Sequence, residues 1–361
     1  MSKYMILGGF LGAGKTTTMI AFSEYLAQQG KKAAILVNDL GGDYLVDGAF
    51  TEATGCCCDE ITGGCICYQT EKLVEKLRLF RDSAGADIVF SDIPGCGIGA
   101  LDHVYHRLNR EYHGEFSVCP FVAVADPERL RVIMPERADL HLPQEMAYLF
   151  DAQLREAEVI LLNKIDLLTD AERAAYTAFL SEQYSRAKVF AVSAKTGEGI
   201  GDAIEYLYAH ESTFPVVDIG YGGPDFVAAE QRLCWYNRKF SVKVPDGEID
   251  GNRFLAVLFD IIREKLISIV RNVPHLKAMA RGSDGTAAKA SLLGVDYATE
   301  FSTRFTAPQK SLQVMLNARA ACESGALDFL MDAALRETAE QFGASCQVFF
   351  TECFGMMEES H

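Results

Sequence analysis

YMILGGFLGAGKTT, residues 4–17, places an apolar run, a glycine-rich turn and the start of a helix in immediate succession. Gly9 to Thr16 fits the spacing G-x-x-x-x-G-K-[ST], with Gly12, Ala13 and Gly14 inside the turn and Thr17 just beyond it. Glycines let the backbone curl so that successive N–H groups face phosphate oxygens, and the positive end of the following helix adds to that attraction. Lys15 is expected to neutralise the β- and γ-phosphates, and the Thr16 hydroxyl to bind Mg²⁺. The competing reading is a chance glycine-rich turn, which would not require a strand before it and a helix after it.

Outward from this turn, a helix is expected at 15–29 and short apolar strands at 33–38, 87–92, 121–126, 159–166 and 189–194. These strands lack clean alternation and are separated by amphipathic helical segments. That combination predicts an α/β fold, a P-loop NTPase with a doubly wound, mostly parallel sheet. At 214–230 the pattern stops in FPVVDIGYGGPDFVAAE, rich in glycine and proline. The expected organisation is a P-loop domain over 1–213, a linker over 214–232 and a smaller α+β domain over 233–361. Within the last, helices are expected at 252–271 and 324–342, with strands at KFSVKV, 275–281, 288–294, 311–319 and CQVFFTE. The order β-α-β-β-(β)-α-β suggests a ferredoxin-like sandwich.

The base is read from Asn163-Lys164-Ile165-Asp166, which follows a strand. The Asp166 carboxylate can accept hydrogen bonds from the N1–H and 2-amino group of guanine. Adenine offers neither donor, so such a site can reject it by about 10⁴ or more. Ser193-Ala194-Lys195, after the next strand, resembles a second guanine-contacting loop in which a backbone N–H meets the base oxygen. Asp92-Ile93-Pro94-Gly95 closes another strand, where an acidic residue holds Mg²⁺ through water and the Gly95 N–H meets the γ-phosphate. The plain alternative is an Asp-Pro-Gly turn. GTP is therefore the expected nucleotide. Lys15, Asp92 and Gly95 are its expected catalytic groups, with slow turnover that a partner or dimerisation would raise.

Formal charge over the 361 residues is −16, from 34 basic and 50 acidic side chains, which argues against nucleic acid and against anionic membranes. No apolar run has the length of a bilayer-spanning helix, and the expected location is the cytoplasm. Eleven cysteines are many for a reducing compartment, and Cys56, Cys57, Cys58, Cys65 and Cys67 lie within twelve residues. Such clustering points to metal or redox chemistry. Cys65 and Cys67 precede an amphipathic helix whose dipole would lower thiol pKa values. With Cys57 and Cys58 they could offer four sulfurs, which suit Zn²⁺ or an iron–sulfur cluster, and a thiolate-rich site also suits Cu(I); Zn²⁺, Co²⁺ or Ni²⁺ is the expected metal, an iron–sulfur cluster being less favoured. Cys96 is a separate candidate beside Gly95. Cys119, Cys234, Cys322, Cys346 and Cys353 read as isolated structural residues. His103, His106 and His113 read as one solvated or partner-facing helical face.

GFLGAGKTT resembles the P-loop of the CobW-like GTPases, relatives of HypB and UreG. The resemblance extends through VNDLGGDYLVDG (37–48), GGCIC (63–67) and FVAVADPERL (121–130), and covers about 4–200. It implies a GTP-hydrolysing metallochaperone, with Thr16, Asp39 and Asp92 around Mg²⁺ and a client metalloprotein or cofactor enzyme as partner. A homodimer closing the site across a two-fold axis is also implied. Cobalt–corrinoid chemistry falls within the group, as does a gate that protects or reactivates a corrinoid enzyme without carrying metal. A regulatory module that does not hydrolyse GTP is the third reading. The chain departs from the family pattern at Asp92, in place of Glu, and at Tyr68, in place of a last Cys.

Overall fold

The apolar run opening the chain forms β1 (Lys3–Gly9), buried from Tyr4 onward. A strand paired on both edges and covered on both faces has no solvent side, so its sequence shows no alternation. The computed structural model describes residues 2–10, 12–38, 57–61, 65–93, 97–134, 144–231, 233–245, 247–269, 275–292, 294 and 298–355. Among these, β2 (Ala33–Asn38), β3 (Cys57–Ile61), β4 (Ile88–Asp92), β5 (Ser117–Val118), β6 (Val122–Ala125), β7 (Val159–Leu162) and β8 (Lys188–Ala191) complete the first sheet. They pair in parallel in the order β3-β2-β4-β1-β6-β7-β8. The two-residue β5 pairs with the start of β1, and β6 with its end. Pro120 lies between them and has no N–H to offer a ladder.

Helices follow the strands: α1 (Lys15–Gln28), α2 (Thr70–Leu79), α3 (Arg107–Glu111), α4 (Pro127–Ile133), α5 (Gln144–Glu156) and α6 (Asp170–Gln183) lie between them, and α7 (Ile200–Ala209) and α8 (Pro224–Gln231) come after the last. Local chemistry sets their starts. Asp126 caps α4 and is followed by Pro127 at the first helical position. Thr169 and Glu172 form a reciprocal capping box on α6. Ile6, Leu36, Val89, Ala123 and Ile160 are buried in the shared core. Every strand points its carboxyl end to one edge of the sheet, where an open α/β fold puts its ligand site.

Among the described residues, those up to Phe226 make one unit and those from Val227 another. In the second, β9 (Cys234–Lys243), α9 (Gly251–Ile269), β10 (His275–Gly282), β11 (Ala287–Leu292), β12 (Glu300–Thr303), β13 (Ser311–Ala320), α10 (Ser324–Gln341) and β14 (Ser345–Gly355) follow in turn. The sheet is antiparallel, ordered β12-β11-β10-β13-β9-β14. Its β14-β9-β13-β10 part has the ferredoxin-like order, and β11 and β12 add a hairpin beside it. Leu255, Phe259 and Ile262 of α9 and Leu327, Leu330 and Met331 of α10 share one buried cluster with Tyr236, Phe240 and Val242 of β9. Their three- and four-residue spacing gives each helix one apolar stripe.

The P-loop sheet and the smaller α+β unit match the fold expected from sequence, with two differences among the strands. β3 lies where no strand was expected: Asp59 and Glu60 sit on a half-exposed edge strand, and Lys76 pairs with Asp59. β12 was not anticipated. Within the stretch read as a linker, Tyr148 donates to the Ile219 carbonyl, Arg155 to that of Asp218, and α8 begins at Pro224. No helix among the described residues is long and apolar enough to cross a membrane.

Candidate functional site

β1 delivers the chain into the turn at Gly9, whose φ is +109°. A Cβ there would lie 2.2 Å from the Val124 carbonyl oxygen, so only glycine lets β1 and β6 approach this closely. Gly14, at φ +100°, caps α1, and no acidic residue in the first helical turn offsets the positive helix end. Lys15 is buried, and its Nζ donates to the carbonyls of Gly9 at 2.8 Å and Phe10 at 3.3 Å. The amine thus spans the mouth of the turn. Thr16 is buried beside it, and Thr17 is exposed.

The loops after β7 and β8 are tied to this turn. Asn163 Nδ2 donates to the Ala13 carbonyl at 2.8 Å, and its Oδ1 accepts from the Ala194 N–H at 2.9 Å. Lys164 adopts a left-handed φ of +62° and donates from Nζ to the Gly12 carbonyl at 2.7 Å. Its amine also lies 3.9 Å from Asp126. Burial works against charge on Asp126, but Arg129 and Lys164 hold its carboxyl below the usual range. Asp166 is exposed, and its Oδ1 accepts from the Ser193 hydroxyl at 2.6 Å. Lys195 is exposed next to Ala194. The residues expected around phosphate and guanine therefore form one connected arrangement. A carboxylate stands at its rim.

A second network starts at Asp92, buried at the end of β4. Its Oδ1 accepts from the Asn38 N–H at 2.8 Å. The Asn38 side chain donates to the Ile61 carbonyl at 3.0 Å and accepts from the Ile66 N–H at 3.0 Å. Asn38 therefore joins the carboxylate expected near Mg²⁺ to the short helical turn Ile66–Tyr68. Cys65 Sγ caps that turn, accepting from the Cys67 N–H at 3.4 Å. Hydrogen bonding with Cys65 and then burial push the Cys67 thiol well above its ordinary value. Cys65 and Cys67 are thus together, whereas Cys57 and Cys58 begin β3, opposite Ala34 and Ile35. Three strand steps, about 10 Å, separate Cys58 from Ile61. Among the described residues, no three His, Cys, Asp or Glu side chains gather as for a metal ion. Asp39, Cys56, Gly95 and Cys96 lie outside the described residues.

The sequence profile of the CobW/HypB/UreG nucleotide-binding domain matches residues 3–191. The chain belongs to this family. The CobW/HypB/UreG proteins are a GTPase group associated with metal and cofactor chaperoning. The zinc chaperone CobW of a Sinorhizobium species is 28% identical over 212 residues, 54% of this chain and 59% of that protein. The zinc chaperone YeiR of Escherichia coli K12 is 37% identical over 67 residues, 19% of this chain and 20% of that protein. The chain thus spans less than two thirds of each of these relatives. The crystal structure of HypB from Helicobacter pylori in complex with nickel has 13% identity and a TM-score of 0.42, over 60% of this chain and 92% of that one.

Glu156, on α5, carries no motif and escaped the sequence reading of this CobW/HypB/UreG chain. Its carboxylate accepts from the N–H groups of Gly99 at 2.9 Å and Leu101 at 2.6 Å, while Gln153 donates to the Gly97 carbonyl. Both side chains hold the segment that follows Asp92 and Gly95. Burial raises the Glu156 carboxyl to about 7. Of the histidines read as one solvated or partner-facing helical face, His113 is exposed, whereas the half-exposed His103 lies 4.6 Å from the Tyr221 ring and the half-exposed His106 bonds to the Pro215 carbonyl.

Asn38→Ala would strand the Ile66 N–H and the Ile61 carbonyl in a buried setting. It is expected to cost about 2–4 kcal/mol, read by chemical denaturation, and to speed alkylation of Cys67. Parent-like stability together with parent-like alkylation would show that this side chain clamps nothing.

Proposed function

We propose that the chain is a GTP-hydrolysing metallochaperone that delivers or inserts a metal, or a metal-containing cofactor, into a client protein. The observation that carries this reading is Asn38, which meets Asp92 through its backbone and the Cys65–Cys67 turn through its side chain. Gly9, Gly12, Ala13, Gly14 and Thr17 would cradle the phosphates, and Lys15 would exchange its carbonyl partners for phosphate oxygens. Thr16, Asp92 and Asp39 would hold Mg²⁺, with Gly95 sensing the γ-phosphate. Asn163 would brace the base pocket, Lys164 would line it, Asp166 would read guanine, and Ser193, Ala194 and Lys195 would close it.

Cys65 and Cys67 supply two soft donors of the kind Zn²⁺, Co²⁺ or Ni²⁺ accepts as cargo. Cys57 or Cys58 would need a change in β3 to join them. The client would be a metalloprotein or cofactor enzyme, and a homodimer is proposed for the hydrolysing state. The charge of −16 supports action away from nucleic acid and anionic membranes.

One observation favours the alternative, a GTPase gate protecting or reactivating a cofactor enzyme such as a corrinoid enzyme. The raised Cys67 thiol resists the thiolate form that cargo binding requires.

Anaerobic titration of the reduced protein with Zn²⁺, Co²⁺ and Ni²⁺ against a competing chelator separates the two. The titration is run with Mg-GDP and again with a non-hydrolysable GTP analogue. Tight binding whose affinity changes about tenfold or more between nucleotides is expected of the chaperone. Weak binding in both states would turn the assignment to the gate.

A further inference from the structure

The cysteines of the second unit looked isolated in the sequence, yet two of them meet. Cys234 opens β9 and Cys353 lies near the end of β14, 119 residues later, with their Sγ atoms 3.6 Å apart. The antiparallel register sets Cys234 opposite Gly355 and Cys353 opposite Tyr236, so both thiols stand on one face of the sheet, diagonally across the pair. Cys353 donates to the Ser324 carbonyl at the start of α10 at 3.2 Å, and Cys234 to the Trp235 carbonyl at 3.6 Å.

We propose that Cys234 and Cys353 form a reversible dithiol–disulfide switch, oxidised by a low-molecular-weight disulfide. A bonded pair needs its sulfurs at about 2.05 Å, so closure requires an approach of about 1.5 Å. β14 can supply it, because among the described residues it is an edge strand paired with β9 alone, and it is already irregular between Val348 and Phe350. Cys234 is buried and Cys353 half-buried, which sets the order of events. The Cys353 thiolate attacks one sulfur of the small disulfide, forming a mixed disulfide and releasing one small thiolate. The Cys234 thiolate then attacks Cys353 Sγ and releases the second. The two protons lost by the cysteines end on the two small thiols, and the small disulfide is the species reduced. Cys322, just before α10, also neighbours Cys353, and burial raises its thiol to about 11, which disfavours its thiolate. In a reducing compartment such a bond is transient and acts as a sensor.

The test uses the full chain, reduced and then equilibrated with glutathione and glutathione disulfide at graded ratios. Samples are acid-quenched, differentially alkylated and mapped by peptide mass. Cys234 and Cys353 are expected to lose alkylation together and to appear as one linked peptide while Cys119 and Cys322 remain alkylated. Cys234→Ser is expected to trap glutathione on Cys353, and Cys322→Ser to leave the link unchanged. Full alkylation of both cysteines at the most oxidising ratio would overturn the proposal, as would a link from Cys353 to Cys322.

Discussion

Asp166→Asn is expected to weaken GTP binding by about 10²-fold or more and to turn the preference toward xanthosine triphosphate. A carboxylate accepts from both the N1–H and the 2-amino group of guanine. Two charge-assisted bonds of about 1.5–3 kcal/mol each are at stake. The asparagine amide would present a donor to one of them. Xanthine carries a carbonyl where guanine has its amino group, so the new donor finds an acceptor. The Ser193 hydroxyl, which now bonds to Asp166 Oδ1 at 2.6 Å, would keep an oxygen to donate to, and the loops should hold their shape. Equilibrium binding of both nucleotides to parent and variant decides the matter. Unchanged GTP affinity would remove Asp166 from the base site.

Gly14→Ala should be comparably damaging by a different route. The residue sits at φ +100°, where an L side chain is strained by about 1–2 kcal/mol. Its Cβ would also fall 2.4 Å from Asn163 Nδ2. Asn163 would have to leave, and with it the bonds to Ala13 and Ala194, each worth about 1 kcal/mol. A total near 3 kcal/mol, spent on restoring the loop before phosphate can bind, corresponds to about a hundredfold loss of nucleotide affinity. Gly30→Ala is the matched control. It shares a positive φ of +72°, but an added Cβ there meets nothing within 4 Å. It should cost some stability and leave GTP binding intact. If the two variants bind GTP alike, the close packing of Asn163 on the P-loop is not what shapes the site.

The parallel sheet was legible because burial on both faces writes itself as unbroken apolar runs, and because β1 leads straight into Gly9–Thr16. The strand ends at Asn163 and Asp92 were readable for the same reason. β3 was not. An edge strand tolerates Cys, Asp and Glu in sequence, and Asp59 and Glu60 mimic a loop. Asn38 looked like the last residue of an ordinary strand; that its backbone N–H and side-chain amide bond to three separate segments depends on the pairing of β2 with β3 and β4. Glu156 drew no reading from the sequence, since nothing local signals that it is buried. The Cys234–Cys353 contact follows from the β9–β14 register, which joins residues far apart in the chain.

The Asn38 junction bears on how supply and demand would be matched. Thermodynamic coupling has no direction: any factor by which nucleotide changes the hold on an ion at Cys65 and Cys67 is also the factor by which that ion changes the hold on nucleotide. On the proposed reading, a chain carrying its ion would retain GTP longer than an empty one if GTP tightens the thiol turn. The fraction of molecules in the GTP state would then track the free concentration of the ion. A client able to distinguish GTP-bound from GDP-bound chains would dock mostly with loaded carriers and pass over empty ones. Three hydrogen bonds at the end of one strand would in that way make the carrier its own gauge of how much there is to carry.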